Sequence, residues 1–472
     1  MATKTKKVSK KTKTTKKISS KGYFYPKFKT LMKKKPLLKK ILFTLLLLLI
    51  FRIGATITTP GVTVSSKFGA NQASLIGMLD MMGGGALKRF SIFALGISPY
   101  ITASIIMTLL QSEVFPPLYR LSQSGPAGKR KINIITRVLT LVFALIQAIT
   151  IIQTVGGHGG LVHLVPSLDH GWFKFFVLPI ILMAGSLFVL FLGEQITNNG
   201  VGNGTSLIIF SGIAANLPAK MRSAWNELAG GNMSGSAFTG MMEFLMYILV
   251  FVSLIFIIGY FYKAERHIPI QQVGSGMTKD VKHMSRLPIK LNPAGVMPVI
   301  FALTISMLPL TIAQFLDRWS ESRIWIEHHM RLTQPIGLSL LIIVNFLFTI
   351  VMSLVTFNPN RVAENFKKNG TFIPGVRPGE ETETYLTGVI IRLSIFSAIY
   401  LSALISIQYI EQMIGLSAGI TFSGTSLIIL VSVAIETIAQ LKARDKTRKI
   451  SKAKIRANDS RNKGSKAGGL LW

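Results

Sequence analysis

Apolar side chains fall along this chain in runs of about twenty, the length an α-helix needs to cross a hydrocarbon layer roughly 30 Å thick. Ten such runs are predicted as spanning helices, near 37–58, 90–111, 133–154, 173–192, 204–217, 241–262, 294–315, 335–357, 386–406 and 420–440. They crowd the chain and leave little room for a separate soluble domain. Between the first two lies a shorter apolar piece, Ser74 to Met82, followed by Gly83, Gly84 and Gly85. It is too short to span; either it folds back on its glycine hinge into a protein-lined or wet cavity, or it lies on the outer surface.

Two short patterns occur twice at the same offset. GTSLII stands at Gly204 to Ile209 and again at Gly424 to Ile429, opening runs five and ten. A Gly-x-x-Pro-x-Ile pattern stands at Gly96 to Ile101 in run two and at Gly295 to Ile300 in run seven. Each pair is five runs apart, and five is odd, so the copies cross the membrane in opposite directions. That is the signature of an inverted repeat, in which equivalent spans of the two halves face each other across a transport path. The competing explanation is chance likeness between apolar helices, which two pairs at one offset make less comfortable. The expected fold is an all-α integral membrane protein, with one five-helix half over 37–217 and the other over 218–440. A Lys-rich arm over 1–36 precedes them and a basic tail over 441–472 follows.

Composition agrees with a bilayer as solvent: of 472 residues, 49% are hydrophobic and only 15% charged, with mean hydropathy +0.47. The 53 Lys plus Arg against 19 Asp plus Glu are unevenly placed. Residues 1–40 hold 16 Lys and no acid, and 442–466 hold 11 cations and two Asp. Loops 112–137 and 263–290 are basic as well. Cations gather on the cytosolic side of membrane proteins, which places both ends and these loops in the cytosol, as an even number of spans requires. The tails have two readings: topology signal with attraction to anionic lipid, or contact with ribosomal RNA. The first apolar run lacks a small-residue cleavage site and is expected to stay as a span.

Candidate chemistry is sparse. No Cys is present, which excludes disulfides and thiolate metal sites. His328 and His329 are adjacent, poor spacing for a metal, and GPAGKRK at Gly125 to Lys131 lacks the spacing of an ATP-binding loop. Runs two, five, seven and ten present bulky apolar residues, without the midplane carboxylates that an ion-coupled transporter buries. Arg52 is the one clear mid-run charge and reads as a satisfied interior cation, while Glu194, Arg392 and Glu436 lie near run ends. No metal, no cofactor and no enzymatic chemistry are expected, so driving energy comes from a partner.

Five long stretches carry a family resemblance: Gly84 to Ile106, Ala127 to Arg137, Gly200 to Ile213, Leu287 to Ala302 and Glu364 to Gly379. The chain resembles the SecY family, pore subunits of the bacterial protein translocase, from about Pro36 to Gln440. The resemblance implies an hourglass pore in the cytoplasmic membrane, closed by a ring of apolar side chains. On matching positions the ring is Ile97 and Ile101, Thr205 and Ile209, Ile300 with Met297, and Ile429; Thr205 stands where the family usually has Ile. It implies a plug of Ser74, Leu75, Ile76, Gly77, Met78, Leu79, Asp80, Met81 and Met82, and a lateral gate between spans two and seven that releases signal sequences into lipid. Loops holding Arg266 and Arg377 look like docking sites for the ribosome with its nascent chain and for the SecA motor ATPase. SecE and SecG are the implied partner subunits, the substrates are signal-sequence-bearing polypeptides, and no DNA is involved. The loop tip QVGSGMTKD and the tail after Gln440 lack the usual family residues, which leaves open a specialised accessory copy. Two other classes stay in view. An inverted-repeat transporter of a small solute would need buried ion ligands, and a membrane receptor or scaffold would leave the paired motifs without a purpose.

Overall fold

The computed structural model describes residues 35–64, 86–87, 89–111, 115–155, 162–164, 171–229, 237–273, 285–313, 316–317, 320–417 and 420–467. The candidate plug, the Lys-rich arm before 35 and the loop tip from 274 to 284 lie outside them. Helix dominates. The chain opens with α1 (Lys35–Thr56), β1 (Val62–Val64), α2 (Ser98–Leu110), α3 (Pro116–Gln123), α4 (Gly125–Val155) and β2 (Val162–Leu164). A π-helical turn, Phe173–Val177, leads into α5 (Leu178–Asn199), then α6 (Gly204–Leu228) and α7 (Ala237–Lys263). Strands β3 (Glu265–Gln272) and β4 (Ser285–Lys290) follow, then α8 (Met297–Ala313), α9 (Glu321–His329), α10 (Pro335–Phe357) and α11 (Pro359–Lys368). β5 (Thr371–Phe372), α12 (Glu380–Met413) and α13 (Gly424–Ala467) complete the chain.

Among the described residues, six segments are long and apolar enough to cross a membrane: Gly125–Gln153, Phe173–Asn199, Phe238–Lys263, Pro335–Lys368, Glu380–Met413 and Gly424–Asp445. Ser98–Leu110 and Met297–Ala313 are shorter apolar helices. Burial explains the orientation of α1, whose Leu47, Phe51 and Ala55, four residues apart, turn inward toward α5 and α6. Leu42, Leu45, Leu46, Leu49 and Ile53 stay exposed on its other side. A greasy outer face suits lipid and would be anomalous in water. Arg52 is half-buried in this helix.

Helix ends differ from the sequence expectation where Gly and Pro decide them. Helix was expected across 90–111, but residues 92–97 form turns and α2 begins only at Ser98. Gly96 has φ +53°, a left-handed conformation that no helix can run through, and Pro99 follows in the first turn, where its missing N–H costs nothing. The second copy repeats the device: Gly295 has φ +67° and α8 begins at Met297, just before Pro298. Conversely, α6 continues through Pro218 to Leu228, eleven residues past the nearest expected boundary.

The lead-ins of α2 and α8 are held by the same type of contact. Ser186 Oγ, on α5, donates to the Gly96 carbonyl at 2.9 Å, and Ser397 Oγ, on α12, donates to the Leu291 carbonyl at 2.7 Å. At the other motif, a Cβ on Gly204 would fall well inside 3.0 Å of the Gly193 carbonyl of α5, and one on Gly424 equally close to the Leu404 carbonyl of α12. The two GTSLII copies therefore solve the same packing problem, each against the helix that precedes it. A seam of small polar groups joins α10 to α12, with Asn345 Nδ2 donating to Ser402 Oγ at 2.9 Å and Thr349 and Ser353 bonded back to their own helix. Such groups let helices approach closely in lipid.

Candidate constriction and cytosolic platform

The final isoleucine of each motif copy, namely Ile101, Ile300, Ile209 and Ile429, belongs to one buried apolar cluster. Each sits within the first two turns of its helix. Ile97, one residue ahead of α2, joins them. Their exposures are small: 1% for Ile97, 8% for Ile101, 4% for Ile209, 7% for Ile300 and 2% for Ile429. α2 and α8 touch each other directly. Aliphatic side chains here contribute about 25 cal/mol per Å² removed from water and make no directional bond.

The two remaining ring candidates behave differently. Thr205 is half-buried, and its hydroxyl donates to Asn203 Oδ1 at 2.8 Å. Asn203 also caps the helix by accepting the Thr205 N–H at 3.2 Å. Its hydroxyl is thus already satisfied locally. Met297 is 41% exposed. Its neighbour Val296, buried in the cluster, was not singled out from the sequence. Alignment of the two motif copies carries the signal that finds it: Val296 is the second residue of GVMPVI, as Ile97 is of GISPYI.

The chain is laced together on either side of the segment that holds residues 74–82. Thr59 N and Thr59 Oγ1 both donate to the Phe90 carbonyl, at 2.9 and 2.8 Å, and Ile92 N donates to the Ile57 carbonyl at 3.1 Å. β1 pairs antiparallel with β2, Val62 opposite Leu164.

Several helix charges are bonded locally. Arg137 on α4 clasps Glu194 on α5 with two parallel bonds, Nε to Oε1 at 3.1 Å and Nη2 to Oε2 at 2.7 Å. The fork geometry favours this pairing, and partial exposure keeps its worth to about 1 kcal/mol or less. Arg392 Nε donates to the Gly388 carbonyl at 3.0 Å, and Glu436 accepts from Gln440 at 3.2 Å. Among the described residues no three His, Asp or Glu side chains gather as a metal site.

Sequence reasoning missed the strands. β4, β3 and β5 form one sheet in that order, with Arg266 opposite Ile289 and Gln271 opposite Phe372. It joins the 263–290 and 358–385 segments into a single platform. Ile268, Ile289, Ile373, Leu386 and Val389 form its core and seat it on the start of α12. The signal was the alternation in Arg266-His267-Ile268-Pro269-Ile270, which puts Ile268 and Ile270 on one face. Arg266 is exposed. Arg377 extends into solvent with its N–H on Glu381 Oε2 at 3.2 Å, while Thr382 Oγ1 donates to its carbonyl at 2.7 Å. Lys368 bonds Glu364 at 2.7 Å and holds its carboxyl below the usual carboxylate range. The platform offers fixed cations and ordinary surface pairs, with no acid–base constellation.

Comparison with known proteins agrees with this geometry. The SecY family model matches residues 91–438. The protein translocase subunit SecY of Mycoplasma capricolum subsp. capricolum is 41% identical over 428 residues, covering 88% of each chain. Among solved structures, a SecY whose plug domain stabilises the closed state of the translocation channel and maintains a membrane seal matches with TM-score 0.62 at 19% identity. It covers 86% of this chain and 92% of that one. Sec61 in the canine ribosome–channel complex from the endoplasmic reticulum matches with TM-score 0.58 at 17% identity over the same shares. At these identities the two structures speak for the fold.

Proposed function

The chain belongs to the SecY family, and on that footing we propose that its buried isoleucine cluster is the closed constriction of a protein-conducting channel. The protein is the channel subunit of a bacterial protein translocase. It moves unfolded secretory polypeptides across the membrane and releases membrane segments sideways into lipid. A single observation supports the constriction: the last residue of all four motif copies, from four different helices, enters one apolar cluster. The matched glycine and serine contacts of the two motif pairs support a pair of inverted five-helix halves. On this reading α1, α2, α8 and the six long apolar segments, with α6, make ten spans, and both termini are cytosolic. The solute-transporter alternative has neither the relatives nor the buried ion ligands in its favour.

The plug reading of residues 74–82 rests on the related SecY channel, and on the anchors at Thr59–Phe90 and β1–β2, which would hold both ends of a stopper that moves between them. Contact between α2 and α8 suits a lateral gate. The sheet carrying Arg266, next to the loop of Arg377, is the proposed docking platform for the ribosome and the SecA motor, and SecE and SecG are the proposed partner subunits. The channel does no chemistry of its own on this account.

Photo-crosslinkers test the constriction during translocation of a stalled secretory chain. Capture is expected at Ile97, Ile209, Ile300 and Val296, and weaker capture at Met297. Normal transport with no capture at the first three would remove the assignment.

A further inference from the structure

The seam between α10 and α12 uses only one side of the Asn345 amide. Its Nδ2 donates to Ser402 Oγ at 2.9 Å, while its buried Oδ1 meets no hydrogen-bond partner among the described residues. On α8 the Ser306 hydroxyl is in the same condition, 1% exposed and without a partner among the described residues. The other hydroxyls of α8 are satisfied within the helix: Thr304 Oγ1 donates to the Ile300 carbonyl at 2.8 Å, and Thr311 Oγ1 to the Met307 carbonyl at 3.0 Å. A buried polar atom without a partner destabilises the arrangement that leaves it so. A hydroxyl both donates and accepts, so it can meet an amide from either side.

The two residues stand at nearly the same depth. α8 packs on α10, and Phe301 meets Phe348 edge to face with ring centroids 6.2 Å apart. On the ten-span reading these are consecutive spans that run in opposite directions. Going onward from Phe301 to Ser306 and back from Phe348 to Asn345 then leads the same way, by about 7.5 and about 4.5 Å at the helical rise. The offset left between them is about 3 Å. Around the axis of α8, Ser306 lies roughly 160° from Leu308 and roughly 120° from Ile312, both exposed, which puts it on the inward side. The helix is weakened beside it, because Pro309 stands inside α8 and has no N–H for the Ile305 carbonyl, a common cause of bending.

We infer that α8 has a second seat on α10, reached by a slide of about 3 Å eased by Pro309, in which Ser306 Oγ and the Asn345 amide bond to each other. Ile300 lies on the same helix, and the slide carries it away from Ile101, Ile209 and Ile429, with which it is clustered at rest. The resting seat closes the apolar cluster and leaves two polar atoms unpaired, whereas the second seat pairs them and parts the cluster. Ser306 and Asn345 are thus positioning residues for transport: they touch no substrate, and they keep the parted arrangement within reach of a channel that has no energy source of its own. This deepens the constriction reading and rests on it.

The chain has no Cys, so Ser306→Cys combined with Asn345→Cys reports the second seat directly. Bridged Cα atoms must come within about 7 Å, and in the oxidised, reconstituted translocase the disulfide should form about fivefold more often with a stalled secretory chain in place than at rest. Equal yields in the two conditions, or none in either, overturn the proposal. Ser306→Ala tests the energetics, since it removes an unpaired group from the resting seat and a bond from the second. The thermal midpoint should rise while the transport rate falls about threefold or more. Loss of ordinary packing lowers the midpoint and cannot give that combination. An unchanged or lowered midpoint means that Ser306 is already satisfied at rest, by water or otherwise, and rejects the second seat. Photo-crosslinking at Ile300 keeps the two readings apart. Capture of the stalled chain there without a disulfide rejects the second seat alone, and a disulfide without capture keeps the two seats but removes the constriction from between them.

Discussion

Gly424→Ala is expected to lower the thermal midpoint of the detergent-solubilised protein sharply, and Gly204→Ala to lower it by a similar amount. In each case the new methyl would lie against a backbone carbonyl, of Leu404 or of Gly193, far closer than any real Cβ contact. A flexible side chain could swing aside, but a carbonyl inside a helix moves only with its helix. Overpacking of this kind costs about 1–3 kcal/mol, and rigid neighbours push toward the upper end. Gly259→Ala is the matching control: its Cβ would meet only Val431, at an ordinary 3.8 Å. A helix-interior alanine should there be neutral or stabilising by up to about 1 kcal/mol. Heating in detergent followed by size-exclusion chromatography ranks the three variants. A wild-type midpoint for Gly424→Ala would show that α13 does not seat on α12 through this glycine, and a large difference between Gly204→Ala and Gly424→Ala would undo the equivalence of the two motif copies.

The same glycines show what the sequence could and could not reveal. Their recurrence at a fixed offset was visible from hydropathy and spacing, because repeated motifs need no knowledge of contacts. What they pack against was not, since Gly193 and Leu404 carry no sign of being partners. Spanning segments were legible wherever the apolar run was long, as in α7, α10 and α12, where length and composition alone decide. They were misjudged where one residue overrides periodicity. Gly96 and Gly295 leave the helical region of backbone space and delay α2 and α8, while Pro218 reads as a stop yet α6 runs through it. The sheet was missed because Ile268 and Ile289 face a core made partly by α12, more than ninety residues later. Local alternation there is only a few residues long. Five of the candidate ring residues share one buried cluster, whereas Met297 stands apart from it. Resemblance pointed to Met297, and internal symmetry points to Val296.

Asparagine at Ile209 and Ile429 together is expected to make the resting channel leak. Both are the final residues of a GTSLII copy and both are buried in the shared cluster, so the double change alters matched positions in the two halves. An apolar constriction excludes ions because water in it lacks hydrogen-bond partners and withdraws. Two amides restore those partners and let water persist. Each amide left buried without a partner also costs about 1–3 kcal/mol, which loosens the closed packing from the protein side. In proteoliposomes without substrate, salt flux should rise well above wild type, and each single variant should fall between. Met297→Asn should leave flux unchanged, because that side chain is already 41% exposed and adds no polarity to the cluster. The thermal midpoint separates leak from unfolding: a folded double variant that stays as tight as wild type would mean that the cluster is ordinary helix packing and that ions are stopped elsewhere. Polypeptide transport should continue through the leaking channel, since a passing chain needs the side chains only to part, and asparagine parts as readily as isoleucine.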